Sequence, residues 1–284
     1  MIVFPNCKIN LGLQILNKRE DGFHNLETVF YPIPLRDALE VIRLTDDKTV
    51  ANVNFKSTGL TIEGDSHNNL CIKAYDLLKK DFPALPSIQM HLHKTIPMGA
   101  GLGGGSSDGA FALKLLNEKF QLGLSIHQLI NYALQLGSDC PFFIINKPAF
   151  ATGRGELLEE ISLDLSAFHF AIVNPGIHVN TGWAFAQLNL NNDSGRFERP
   201  DSKHPVLKTI IQQPISTWKN QLINDFEEPV SKAHPEIAFI KQQLYDAGAL
   251  YASMTGSGST VYGIFSREQK PSLSFPSSYF CKLI

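Results

Sequence analysis

The stretch PMGAGLGGGSSDGA, residues 97–110, limits most tightly what this chain can fold into, because six of its fourteen positions are glycine and a helical pattern follows at once. Glycine has no Cβ and enters left-handed conformations without steric cost, so such a run marks sharp turns or a close backbone approach. Gly99, Gly101 and Gly104 satisfy the spacing G-x-G-x-x-G. The dinucleotide fold behind that fingerprint also needs a buried parallel strand before the turn and an acid closing a second strand about 20 residues on. Here Ile88, Met90 and Leu92 alternate with polar residues, which reads as a two-faced strand, and Glu118 falls inside a helix. Nor is there the Lys-Ser/Thr pair of a P-loop, since Gly105 is followed by Ser106 and Ser107.

What remains is a more general property of such loops. Several backbone amides can point into one hollow, and a helix starting at about Ser106 aims its unsatisfied N–H groups and positive dipole end at the same place. That hollow suits a phosphate. Ser106 and Ser107 offer hydroxyls able to bond a phosphate oxygen or ligate a magnesium ion, and Lys94 offers a positive charge just upstream. A plain glycine turn with a serine N-cap needs one or two glycines, whereas five lie between positions 99 and 105.

Around this loop the chain reads as an ordered α+β protein. Its 284 residues, 43% apolar and 18% charged, suffice for one large domain or two modest ones. Val3, Ile9, Leu11, Leu13 and Ile15 recur with a period near two, a half-buried strand; Leu70, Ala74, Leu77 and Leu78 recur with helical spacing. A second helix follows the glycines, and a third runs from an N-cap at Ser125 to Gly137. PFFIIN reads as a short apolar strand, residues 168–173 as another, PEIAFIKQQLYDAGA as a helix and STVYGIF as a strand. The alternating strands favour α+β over a doubly wound parallel sheet. A domain change is expected near Gly155, giving domains 1–155 and 156–284, and the polar segment 191–205 reads as a surface loop.

The net charge of −2, without a dense Lys/Arg run, speaks against a nucleic-acid partner. Cys7, Cys71, Cys140 and Cys281 are far apart and suggest neither disulfides nor structural zinc, so reduced thiols and a cytoplasmic setting are expected. No signal peptide or membrane span is visible.

Chemistry requires an acid and a base near the phosphate hollow. Asp139, in GSDCPFF, abuts an apolar run, where a carboxylate has to be paired, capping or catalytic. Lys8 lies in the first strand, where an isolated lysine would ordinarily face solvent. His91 and His93 share a strand face without an evident third metal ligand, and read as a surface pair.

Four segments together are similar to one known family. PMGAGLGGGSSDGA resembles the phosphate-binding motif of the galactokinase, homoserine kinase, mevalonate kinase and phosphomevalonate kinase superfamily, in the glycine-expanded form of a member acting on a cytidine-diphosphate-linked sugar alcohol. KINLGLQILNKREDGFHNLETVF, GSDCPFF with ATGRGE, and MTGSGSTVYGIF resemble the same member and follow in the same order. The resemblance implies an ATP- and Mg²⁺-dependent small-molecule kinase, monomeric or homodimeric, with no membrane partner. It implies an ATP-binding N-terminal domain like ribosomal protein S5 and a ferredoxin-like, substrate-side C-terminal domain. By the same resemblance Asp139 is the general base and Lys8 polarises the substrate hydroxyl. Asn69, Leu70, Lys94, Pro97, Gly99, Ala100, Gly101, Leu102, Gly103, Gly104, Gly105, Ser106 and Ser107 face ATP, with Ser106 also on Mg²⁺. Phe23 and His24 recognise cytosine, Phe185 covers its other face, and Asn10 and Thr181 line the same pocket. A tyrosine is common in the family at Phe23, so stacking is kept there without a phenol. The contrasting readings are another small-molecule kinase of the superfamily, for example one acting on homoserine or mevalonate, against which the Phe23–His24 pair argues, and a nucleotide-binding sensor that keeps the fold without chemistry, against which intact Lys8 and Asp139 argue.

Overall fold

Capping and periodicity explain most of the helices. Asn69 caps the first of them, its side chain accepting from the Cys71 amide at 2.9 Å, and Ser125 with Gln128 forms a capping box at another. The computed structural model describes residues 1–44, 52–62, 68–188, 207–268 and 271–284. In chain order the elements are β1 (Ile2–Val3), β2 (Asn6–Lys18), β3 (His24–Arg36), β4 (Ala38–Arg43), β5 (Val53–Gly59), α1 (Leu70–Asp81), β6 (Ile88–Lys94), α2 (Gly104–Phe120), α3 (Ile126–Leu136) and α4 (Cys140–Ile145). There follow β7 (Ala149–Thr152), β8 (Leu157–Glu160), β9 (Phe168–Asn174), α5 (Thr181–Gln187), α6 (Leu207–Ile210), α7 (Glu227–Ala233), α8 (Pro235–Asp246), β10 (Tyr251–Met254), β11 (Val261–Ser266) and β12 (Phe280–Leu283). The segment 191–205, expected to be a loop, lies outside the described residues.

Two compact units interleave in sequence. The first comprises Met1–Lys8, Pro32–Met98 and Gly103–Lys147; the second comprises Ile9–Tyr31, Gly99–Leu102 and Pro148–Ile284. The expected boundary at 155/156 falls inside the second unit, and β2 and β3, of 13 residues each, give residues to both.

In the first unit a sheet of order β1-β4-β6-β5 is antiparallel except for the β5–β6 pair. Buried Cys71, Ala74, Tyr75 and Leu78 make one face of α1, which packs on α2. PFFIIN, expected as a strand, is helix α4. Its apolar run is buried from Cys140 to Ile144 without a break, a pattern that periodicity cannot separate from a strand. The deciding signals flank it: a proline in the first turn and Asn146 in the left-handed region (φ 54°) as C-cap.

In the second unit β2-β3-β7-β8 form one sheet and β10-β11-β9-β12 an antiparallel other. Leu13, Ile15, Val173, Phe226, Ile240 and Leu244 meet in its core. β2 was expected to be half-buried, yet Asn6 through Leu13 are all buried. The polar positions that suggest a solvent face, Lys8 and Asn10, are covered and bonded instead. Antiparallel pairing dominates, so the α+β expectation holds.

The glycines of the 97–110 stretch also shape the second unit. Gly101, at φ +79°, lies so close to the Thr255 carbonyl that a Cβ there has no room, and Gly256 faces the Gly101 Cα at 3.1 Å from an added Cβ. Gly101→Ala should therefore lower the urea midpoint by clearly more than Ser125→Ala, whose lost cap costs about 1 kcal/mol.

Candidate functional site

Helix α2 begins two residues before the expected Ser106, at Gly104, because Gly103 turns the chain from a left-handed conformation (φ 69°, ψ 17°). No side chain caps this end and no acid lies in the first turn. The first helical bond runs from the Ser107 amide to the Gly103 carbonyl at 2.9 Å, so the amides of Gly104, Gly105 and Ser106 precede it. An uncapped 17-residue helix with those amides at its start is suited to an anion.

Lys8 and Asp139 meet beside it. Their Nζ and Oδ2 atoms are 3.6 Å apart, with the lysine side chain 4% and the carboxylate 34% exposed. Asp139 occupies the N-cap position of α4 but makes no capping bond, which removes the capping alternative. A Cβ on Gly103 would stand 3.2 Å from Lys8 Cε and 3.0 Å from Phe143 Cζ, so glycine there lets the loop close on the lysine stem and α4. The Ser106 hydroxyl meets the Cys140 thiol, next to Asp139. Burial lowers the Lys8 pKa, and Asp139 opposes that only partly.

Lys94 is not an exposed cation. It is sealed from solvent between Asp37 and Asp108, bonding Asp108 Oδ2 at 2.8 Å and Asp37 Oδ2 more closely still. Asp37 also accepts from the Thr95 amide at 2.6 Å and the Ile96 amide at 2.9 Å. Burial pulls Lys94 down, but its two carboxylates outweigh that and leave its pKa raised. Asp108 is pushed up to about 8 by burial, against the pull of Lys94 and with the push of Asp37. Its Oδ1 and the buried Ser107 Oγ have no hydrogen-bond partner among the described residues. Asn69 is the cap of α1, and Leu70 touches Gly109, where an added Cβ would lie 2.8 Å from Leu70 Cβ. Pro97 is half-buried.

In the second unit, Gly99 approaches His178, Ala100 accepts a bond from the Thr260 amide at 3.3 Å, and Leu102 is buried. Asn10 is buried with its side chain bonded to Thr28 at 2.9 Å and Thr255 at 3.1 Å. His24 stacks on Phe185, with ring centroids 4.3 Å and planes 10° apart, and Phe185 meets the buried Phe226 edge-on at 4.9 Å. The His24 pKa is lowered by burial and then by Lys18, which favours the neutral ring with its one donor and one acceptor. Phe23, 52% exposed, lies under the Arg154 guanidinium at 4.7 Å. The Thr181 hydroxyl pairs with that of Ser257 at 3.0 Å.

Thus the first unit gathers Lys8, Asp139 and the loop from Gly103 to Ser107, while the second gathers His24 with Phe185. Sequence reasoning missed Asp37, Asp108, Arg154 and Thr255. Asp108 stands inside the glycine stretch and could have been marked as an acid on a buried helix face; Asp37 has its partner 57 residues away and carries no local signal.

Comparison with known proteins follows the same division. The GHMP kinases N terminal domain matches residues 69–147, and the GHMP kinases C terminal domain matches residues 215–273. A Bacteroides fragilis protein named 4-diphosphocytidyl-2-C-methyl-D-erythritol kinase is 49% identical over 99% of this chain and 98% of its own. One of the same name from Cytophaga hutchinsonii is 47% identical over 93% and 92%. A crystal structure of 4-(cytidine 5'-diphospho)-2C-methyl-D-erythritol kinase superposes with a TM-score of 0.75 at 29% identity, covering 93% of this chain and 90% of the other. The Methanococcus jannaschii mevalonate kinase, at 14% identity and a TM-score of 0.69 over 95% and 92%, shares the fold. Among the described residues no helix is long and apolar enough to cross a membrane.

The raised Asp108 pKa has a thermodynamic consequence. Between the unfolded value of 3.8 and the folded value of about 8, the native state keeps a proton that the unfolded chain releases, so this group's contribution to stability falls as pH rises through that window. Asp108→Asn, which mimics the protonated acid, should flatten that decline by up to about 1.4 kcal/mol per pH unit, read as urea unfolding free energies at pH 5 and pH 8.

Proposed function

The chain belongs to the 4-diphosphocytidyl-2-C-methyl-D-erythritol kinase family, and on that premise we propose that it transfers the γ-phosphoryl group of ATP to the 2-hydroxyl of 4-diphosphocytidyl-2-C-methyl-D-erythritol. It is an enzyme that phosphorylates an alcohol, with ATP as donor, in isoprenoid synthesis. The observation that carries the residue assignment is the Lys8–Asp139 pair beside the uncapped start of α2.

In this reading the Gly104, Gly105 and Ser106 amides hold the phosphates of ATP. Asp139 takes the proton of the acceptor hydroxyl as its oxygen bonds the γ-phosphorus, and the bond to the β-phosphate oxygen breaks to release ADP. Lys8 donates to the same hydroxyl oxygen and balances the charge of Asp139. Among the described residues no group of three or more His, Cys, Asp or Glu side chains could hold a metal. Mg²⁺ would be carried mainly by the nucleotide phosphates, with the hard Ser106 hydroxyl as its protein ligand. When bound there, the ion would supply neutralisation of the negative charge that develops during the transfer. On the acceptor side, neutral His24 suits hydrogen bonding to the cytosine edge, and Phe23 and Phe185 offer aromatic faces for stacking. Thr181 and Asn10 belong to the same unit, Asn10 tying β2 to β3 through the Thr28 hydroxyl. Lys94 supports the loop from beneath: a Cβ on Gly104 would lie 3.3 Å from its Nζ.

An assay coupled to ADP release tests the proposal; ATP binding without turnover of this substrate would overturn it. Asp139→Asn should lower kcat by about 10²- to 10⁴-fold with the fold intact, whereas an acid of structural role alone would change it little. Because burial lowers the Lys8 pKa, its charge is lost at a lower pH than that of an ordinary lysine. The alkaline limb of kcat/KM should therefore fall below pH 10.5, and Lys8→Met should be slow and lack that limb.

A further inference from the structure

We propose that Arg154 is a positioning residue for the cytosine end of the substrate, acting through the ring of Phe23; this rests on the reading of Phe23 and His24 as the cytosine-recognising pair. Phe23 is held firmly by its backbone and loosely by its ring. Its amide donates to Asp21 Oδ1 at 3.1 Å and its carbonyl accepts from the Arg19 amide at 2.8 Å, closing the turn between β2 and β3. The ring itself is 52% exposed, and phenylalanine has no hydroxyl through which a hydrogen bond could set its orientation.

The Arg154 guanidinium supplies what the ring lacks. It lies 4.7 Å from the ring centroid, the range in which a cation is drawn to an aromatic face. Arg154 is held in its turn: its amide donates to Glu156 Oε2 at 2.5 Å, its Nε lies 3.5 Å from Glu156 Oε1, and its neighbours Gly153 (φ 69°) and Gly155 (φ 102°) are both left-handed. The Leu26 amide donates to the Gly153 carbonyl at 2.8 Å, which ties this turn to β3 three residues after Phe23. A flat cation fixed on one face of the ring restrains its rotation and leaves the opposite face open to a base. Guanidinium suits this better than ammonium because it is planar and less strongly hydrated.

A double-mutant cycle tests the inference in the intact protein, with CDP as the calorimetric probe. Arg154→Met should raise the CDP dissociation constant and the KM for the cytidine-diphosphate substrate by about 3- to 10-fold, with kcat, the KM for ATP and the thermal midpoint nearly unchanged. Arg154→Lys should keep part of the effect. In a Phe23→Leu background the Arg154→Met change should shift CDP affinity less than about twofold, since the ring it acts on is gone. Unchanged CDP affinity in Arg154→Met overturns the inference. So does an undiminished effect in the Phe23→Leu background, which would place Arg154 directly on the ligand. A wild-type protein that fails to bind CDP overturns the cytosine reading itself, and the inference with it.

Discussion

Lys94 is the point on which the first unit depends. Its ammonium is sealed between Asp37, at the junction of β3 and β4, and Asp108, in the opening turns of α2. A buried ammonium of this kind is tolerated only when paired, and removing its charged partner typically costs about 3–5 kcal/mol because the ammonium is left uncompensated. Asp37 further gathers the Thr95 and Ile96 amides, so the end of β6, the start of β4 and the start of α2 are tied at one place. The glycine loop is then laid over this anchor. Gly104 fits because a Cβ would press on Ile96 Cγ2 at 2.9 Å and on Lys94 Nζ at 3.3 Å. The amides at the start of α2 are thus held over groups that are themselves out of reach of solvent.

How much of this could be read from residues alone varied with how local the cause was. Helices α1, α3 and α8, strands β6, β9 and β11, and the cap at Ser125 follow from signals within a few residues, and they appear where expected. α4 misleads because five consecutive buried apolar residues, Cys140 to Ile144, have no period to read. β2 misleads because polar residues on alternate positions look solvated, and only their distant partners, Asp139 for Lys8 and Thr255 for Asn10, explain their burial. The same distance hides Asp37. Lys94 was legible as a charge near the loop but not as a buried one, since nothing near it in sequence announces two carboxylates.

The glycine stretch is legible as a constraint but carries two different ones. From Gly103 onward it shapes the entry to α2 against Lys8 and Phe143. Ahead of that, Gly101 allows two backbones to touch, its own and that of Thr255 to Gly258, with the Thr255 hydroxyl bonding the Gly101 carbonyl at 3.2 Å and Asn10 Oδ1 at 3.1 Å. Two glycine-rich motifs separated by some 150 residues therefore account for each other sterically. A phosphate cradle alone would not need the second.

The parallel stack of His24 on Phe185 means that the resting protein already occupies an aromatic face with a ring of its own. A flat base that took the face of Phe185 covered by His24 would enter an exchange and not a vacancy: one stacked pair would be given up as another formed. Base–aromatic stacking is worth about 1–3 kcal/mol, and most of that cancels in such an exchange. On the proposed reading, discrimination between bases would then fall to what an imidazole can do and a phenyl ring cannot, namely offer a donor and an acceptor. Affinity and selectivity would in this way be separated on neighbouring side chains, the stack setting a threshold that every base must meet and the hydrogen-bonding edge deciding which base meets it.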